Sequence, residues 1–164
     1  MENLPLRKRP IDIVFLVVFS AFIITCIISD SVPTLGIPQT PHSSYPPAVW
    51  NWMYSSANDP LYEHPATWMR FATGLSAFVY GPFYILLVIA LAKGFNWIQL
   101  PAVIYATMIS SITGIIIFGA EFFGPVGERS PHPVIFLLYN GWYVLFPLLL
   151  LIRMREPMPF TRRW

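Results

Sequence analysis

Four apolar blocks of about 20 residues each leave this chain few folds to choose from. They run from Ile11 to Ser29, Phe71 to Ala92, Pro101 to Ala120 and Pro133 to Ile152. A helix rising 1.5 Å per residue needs about 20 residues to cross ~30 Å of hydrocarbon, and in lipid only helices and closed barrels satisfy their own backbone. Composition agrees: 55% of the 164 residues are apolar and 11% are charged, with a mean hydropathy of +0.58. Soluble domains carry roughly 25% charged residues. The expectation is one domain of the all-α class, an integral membrane four-helix bundle. A net charge of +2 with no basic, aromatic-rich patch argues against nucleic acid as a partner. The single cysteine, Cys26, permits neither an intrachain disulfide nor a thiolate metal site, and no phosphate loop, HExxH pair or nucleophile elbow is present. No metal, cofactor or catalytic residue is expected.

Basic residues set the orientation. Arg7, Lys8 and Arg9 precede the first block, Lys93 lies between the second and third, and Arg153, Arg155, Arg162 and Arg163 follow the fourth. The positive-inside rule therefore places segment 1–10 and the basic tail 153–164 in the cytosol. Arg162-Arg163 reads as a retrieval signal or as an anchor to anionic lipid. The first block lacks a small-x-small cleavage site and reads as a retained anchor. Asp30, Asp59, Glu63, Glu121, Glu128 and the three histidines fall on the opposite, lumenal side.

The lumenal loop 30–70 opens with Pro33, Pro38, Pro41, Pro46 and Pro47, a density that predicts an extended path. Residues 48–57 then read as a short interfacial helix with Val49, Trp50, Trp52 and Met53 on its apolar side, either a surface anchor or a lid over a cavity. Asp30 is either a solvated interfacial carboxylate or a pocket acid, and Asp59 before Pro60 is either a turn former or its partner. If the loop folds back, the two aspartates would share one proton and recognise an amine or a hydroxyl. Glu121 reads first as an interfacial acid, and Asp12 as a structural partner of the first helix's positive end. Pro82 and Pro147 should kink the second and fourth helices and open a lateral pocket. Ser76, Tyr80, Ser111, Asn140 and Tyr143 are among the polar groups placed around it, although such hydroxyls often bond their own helix.

Several runs are similar to a known family: Ile28-Ser29-Asp30, Trp52 … Asn58-Asp59-Pro60-Leu61 … Pro65-Ala66-Thr67-Trp68, Pro101-Ala102-Val103-Ile104-Tyr105, and Tyr143 through Pro147. Together, over roughly Arg7 to Pro157, they resemble the sigma-2 receptor family, grouped with the emopamil-binding-protein sterol isomerases in the EXPERA superfamily. The resemblance implies a homodimer of the endoplasmic-reticulum membrane that binds sterols and cationic amphiphiles in a pocket open to the bilayer. It assigns amine recognition to Asp30 and Asp59 and matches Trp52 and Tyr143 to family positions. Two positions depart: Ser76 stands where the family has an acid, and Met53 where it often has tyrosine. The isomerases' intramembrane histidine and glutamates are missing, which implies binding without catalysis. Two other readings stay open, an isomerase using Glu121 as an atypical acid and an assembly factor whose groove holds a membrane-protein client.

Overall fold

A computed structural model describes residues 3–161; Arg162 and Arg163 lie outside the described residues. The described chain is helical, its sole strand-like feature being an isolated antiparallel bridge between Asn3 and Thr161. We label the helices α1 (Pro10–Thr34), α2 (Pro46–Asn58), α3 (Pro60–Glu63), α4 (Thr67–Lys93), α5 (Asn96–Phe123), α6 (Pro133–Asn140) and α7 (Trp142–Arg153). Helices α1, α4 and α5 are each long and apolar enough to cross a membrane, and α6 with α7 makes a fourth candidate span broken by a 44° bend.

The helices outrun the apolar blocks. α1 continues through Asp30 to Thr34 with Pro33 inside its last turn, so Asp30 lies within the helix and does not end it. Thr34 Oγ1 donates to the Asp30 carbonyl at 2.7 Å, holding that turn. α4 ends at Lys93 because Gly94 takes a left-handed conformation (φ 73°), where a side chain would strain the backbone.

Proline does less bending than expected. Each long helix carries a π-helical turn: Thr25–Ser29 in α1, Ser76–Tyr80 in α4 and Ile112–Ile117 in α5. In α4 this turn directly precedes Pro82, which has no N–H to return to the previous turn, and the wider winding absorbs the defect without a sharp break. In α1, Thr25 Oγ1 and Ser31 Oγ donate to the Phe22 and Ile28 carbonyls at 3.2 and 3.0 Å. The bend expected at Pro147 falls instead at Gly141, and Pro147 sits inside α7. A Cβ at Gly141 would come within 2.6 Å of the Leu137 carbonyl oxygen, so the tight turn needs glycine.

Phe15, Phe19 and Phe22 of α1 pack on Tyr84 and Leu87 of α4, Tyr105 and Ile109 of α5, and Leu150 of α7. The buried Tyr84 and Tyr105 hydroxyls pair at 2.8 Å and so cost the apolar interior little. At the end holding both described termini, fully buried Asp12 is gripped from two sides. Arg9 Nη1 lies 2.6 Å from Oδ2, and Arg153 donates through Nε at 2.7 Å and Nη2 at 3.0 Å. Both guanidinium groups also lie over the Phe160 ring, at 4.8 and 5.1 Å. Asp12 is thus structural, as expected, but its partners are two arginines. Removing its charge would leave both without their counter-ion, a loss of about 3–5 kcal/mol for a buried pair. Asp12→Asn should therefore lower the thermal unfolding midpoint in detergent markedly, and an unchanged midpoint would mean that the cluster does not hold the helices together.

Candidate functional site

Away from the Asp12 cluster, the helices part around a cavity of about 370 Å³. Its wall draws on the π turns of all three long helices through Thr25, Ile28 and Ser29, Ser76 and Tyr80, and Ile112, Thr113 and Ile117. Helix α2 contributes Trp50, Asn51 and Tyr54, the α3 region Asp59 and Tyr62, and α6–α7 Tyr139, Asn140 and Tyr143.

Helix α2 forms close to where the sequence placed it, with Pro46 and Pro47 in its first turn, and its small and polar residues pack inward. Ala48, Asn51 and Ser55 are buried, whereas Trp50 and Met53 are exposed. Small residues let the helix approach α1 closely, and Asn51 secures it: its Nδ2 donates to the Ser29 carbonyl at 3.0 Å and its Oδ1 accepts from Ser29 Oγ at 2.5 Å. Met53 faces a shallow groove with Ile135 and Tyr139 outside the main cavity. Trp52 is half-buried and does not line that cavity.

Asp59 caps α3 as an aspartate before proline should, its Oδ1 accepting the Tyr62 N–H at 2.9 Å. It is also 3% exposed and lines the cavity, so the turn role and the pocket role coincide. The cap fixes Tyr62 three residues on, and its phenol, kept protonated by burial, donates to Asp30 Oδ1 at 3.0 Å. Tyr62 therefore links the two aspartates, one through its backbone and one through its ring. Sequence reading missed it; its distance from Asp59 in the cap was the available signal.

The carboxyl that pairs with Asp59 is Glu121 of α5, where the sequence suggested Asp30. Glu121 is 1% exposed, and its side chain reaches the Asp59 carboxyl, so the two acids interact directly. The loop after α5 seals this pair, Ser130 N donating to the Glu121 carbonyl at 2.9 Å and Ser130 Oγ to that of Asn58 at 2.6 Å. Glu121 thus backs Asp59 from outside the cavity lining.

Of the remaining expected residues, Ser76, Tyr80, Asn140 and Tyr143 line the cavity and Ser111 does not. Ser111 Oγ donates to the Thr107 carbonyl at 2.9 Å on the exposed side of α5. Ser76 Oγ donates to Cys26 Sγ at 3.1 Å, Asn140 Nδ2 to Tyr54 Oη at 2.8 Å, and Tyr143 Oη to Thr25 Oγ1 at 2.7 Å. Among the described residues no three His, Cys, Asp or Glu side chains converge as a metal site would need.

A model of the EXPERA family, the expanded EBP superfamily, matches residues 47–154, the stretch from α2 through α7. The chain belongs to this family. Sigma intracellular receptor 2 of Xenopus tropicalis is 28% identical over 126 residues, covering 70% of this chain and 72% of that protein. No solved structure matches. In this EXPERA protein the matched stretch includes Asp59, Glu121 and most of the cavity wall, while Asp30 arrives from the preceding helix.

Burial pushes the Asp59 carboxyl above its ordinary value, against the hydrogen bonds it receives from Glu121 and the Tyr62 N–H. An acid raised in the folded state binds its proton more tightly there, so its contribution to stability is full below about pH 4 and is lost as pH rises. Thermal midpoints in detergent between about pH 4 and 8 should fall more steeply for the wild type than for Asp59→Asn. Parallel curves would show that Asp59 does not experience this burial.

Proposed function

We propose that this protein binds a sterol-like lipid or cationic amphiphile in the cavity, without catalysis, and serves lipid homeostasis or trafficking. Asp30 holds the polar or cationic head, and apolar side chains from the bundle enclose the rest. The observation that carries this reading is the placement of the Asp30 carboxylate, held by the Tyr62 phenol at 3.0 Å, on a mainly apolar cavity. A carboxylate with lone pairs to spare is suited to an ammonium or hydroxyl. Exposed wall residues Ile24, Ile28, Trp50 and Tyr139 border the cavity on the α1, α2 and α6 sides, which supports lateral access from the bilayer. The four-span arrangement, with α6 and α7 as one broken span and both termini cytosolic, rests on the helix lengths and on the basic residues at one end. Residence in the endoplasmic reticulum and homodimer formation rest on the family resemblance.

Equilibrium binding of a radiolabelled cationic sterol mimic to purified protein, from pH 5 to 8, tests the reading. Asp30→Asn should weaken binding at least tenfold, on the order of what a charge-assisted hydrogen bond contributes. Equal affinity of wild type and mutant would remove Asp30 from ligand recognition.

The Asp59–Glu121 pair favours a second reading, a sterol double-bond isomerase, since two adjacent carboxyls are suited to proton relay. Rescue of an isomerase-deficient strain by the wild type and not by Glu121→Gln would establish it. Failure of well-expressed wild type to rescue leaves the binding function.

A further inference from the structure

The end of the bundle that holds both described termini carries a basic face well away from the cavity. Among the described residues it has six basic side chains, Arg7, Lys8, Arg9, Lys93, Arg153 and Arg155, against two carboxylates, Asp12 and Glu156. Arg9 and Arg153 turn inward to Asp12, and Arg155 has Glu156 at 4.0 Å. The other three, Arg7, Lys8 and Lys93, are exposed, and none of them forms an ion pair among the described residues.

Cations on loose ends would make only a diffuse charge, but here the backbone that carries them is fixed. Arg7 and Lys8 sit in the 3-10 turn Leu6–Lys8, closed by Lys8 N donating to the Pro5 carbonyl at 2.9 Å and Arg9 N to that of Leu6 at 2.8 Å. This turn packs on the end of α4. Arg9 Nη1 donates to the Leu91 carbonyl at 2.9 Å, two residues before Lys93, and so holds the turn beside that helix end. The segment after α7 closes from the other side. Phe160 N donates to Asn96 Oδ1 at 3.0 Å, Asn96 Nδ2 to Thr161 Oγ1 at 2.6 Å, and Leu4 N to the Phe160 carbonyl at 2.9 Å. With the Phe160 ring fully buried, the N-terminal turn, the α4–α5 connection and the tail form one bonded surface. Attachment points already in place reduce the ordering cost of gripping a ligand.

The same end exposes Phe95, Trp97, Leu100 and Met158, and Lys93 Nζ lies 5.9 Å from the centre of the Phe95 ring. Aromatic side chains at the end of a membrane span settle where hydrocarbon gives way to headgroups. The three cations therefore stand at headgroup level, where lipid phosphate is the most abundant negative charge.

We propose that Arg7, Lys8 and Lys93 grip the headgroup of an anionic lipid bearing a phosphomonoester, in the leaflet at this end of the bundle. A phosphomonoester carries more than one negative charge at pH 7 and three acceptor oxygens, which three cations from two chain segments match better than they match the single charge of a phosphodiester. This site is independent of the cavity and of what the cavity binds.

The test titrates purified full-length protein in neutral detergent with phosphatidic acid, phosphatidylglycerol, phosphatidylcholine or soluble glycerol 3-phosphate. Bound lipid is counted by native mass spectrometry, and the thermal unfolding midpoint is followed in parallel. Phosphatidic acid should be retained at one per protein, about fivefold more tightly than phosphatidylglycerol, and should raise the midpoint. Lys93→Gln should weaken its retention about fivefold, and Arg7→Gln combined with Lys8→Gln about twentyfold. These side chains are exposed and lie outside the Asp12 cluster, so the lipid-free variants should unfold at the wild-type midpoint. Equal retention of phosphatidic acid and phosphatidylcholine, or equal retention by wild type and variants, would overturn the proposal. Equally tight binding of glycerol 3-phosphate would assign the face to a soluble phosphate, and displacement of the lipid by a polyglutamate peptide would assign it to an acidic protein; either result overturns the lipid assignment.

Discussion

A backbone N–H or carbonyl left unpaired in hydrocarbon costs several kcal/mol. The way this chain meets that requirement shapes the rest of the molecule. Its spans do not stay ideally α-helical: three of them widen into π turns, and α6–α7 breaks at Gly141. Serine and threonine hydroxyls bond carbonyls around the α1 turn, and the α4 turn takes up the missing N–H of Pro82. Wide turns thrust side chains outward by an extra fraction of a turn, and here all three contribute to one cavity. The cavity is therefore a property of helix winding as much as of side-chain size.

Charge is divided between the two ends of the bundle. At one end Asp12 is neutralised by two arginines and covered by Phe160, so its lone pairs are spoken for and the helix ends are tied together. At the other, Glu121 lies against Asp59, and Asp30 accepts a hydrogen bond from the Tyr62 phenol. The first arrangement suits stability, because both carboxylate oxygens face guanidinium groups and other N–H groups of the two arginines reach backbone carbonyls. The second leaves acceptor capacity facing a cavity, which is what recognition requires.

Much of this was legible in one dimension. Apolar length located the helices, the Asp59-Pro60 pair located a cap, and the prolines at 46 and 47 located the start of α2. The sequence left α2 as a surface anchor or a lid, and packing decided which face turns inward: Trp50 and Met53 face outward at little cost among lipid and headgroups, while Ala48, Asn51 and Ser55 allow close packing and hydrogen bonding inside. The kink expected at Pro147 falls elsewhere: Pro147 sits inside α7, and Gly141, with no side chain to obstruct the turn, takes the bend.

The sequence by itself determined the class of molecule, because block length and charge content are one-dimensional quantities that a bilayer reads directly. It also determined the local chemistry of Asp59, because a cap is formed by residues three apart. Only the tertiary structure decided which group meets which acid, putting Glu121 beside Asp59, Tyr62 against Asp30, and Arg153 on Asp12. Those pairings join residues far apart in the chain whose approach depends on helix rotation and on where the π turns fall, and a rotation of one residue, about 100°, moves a side chain to another face.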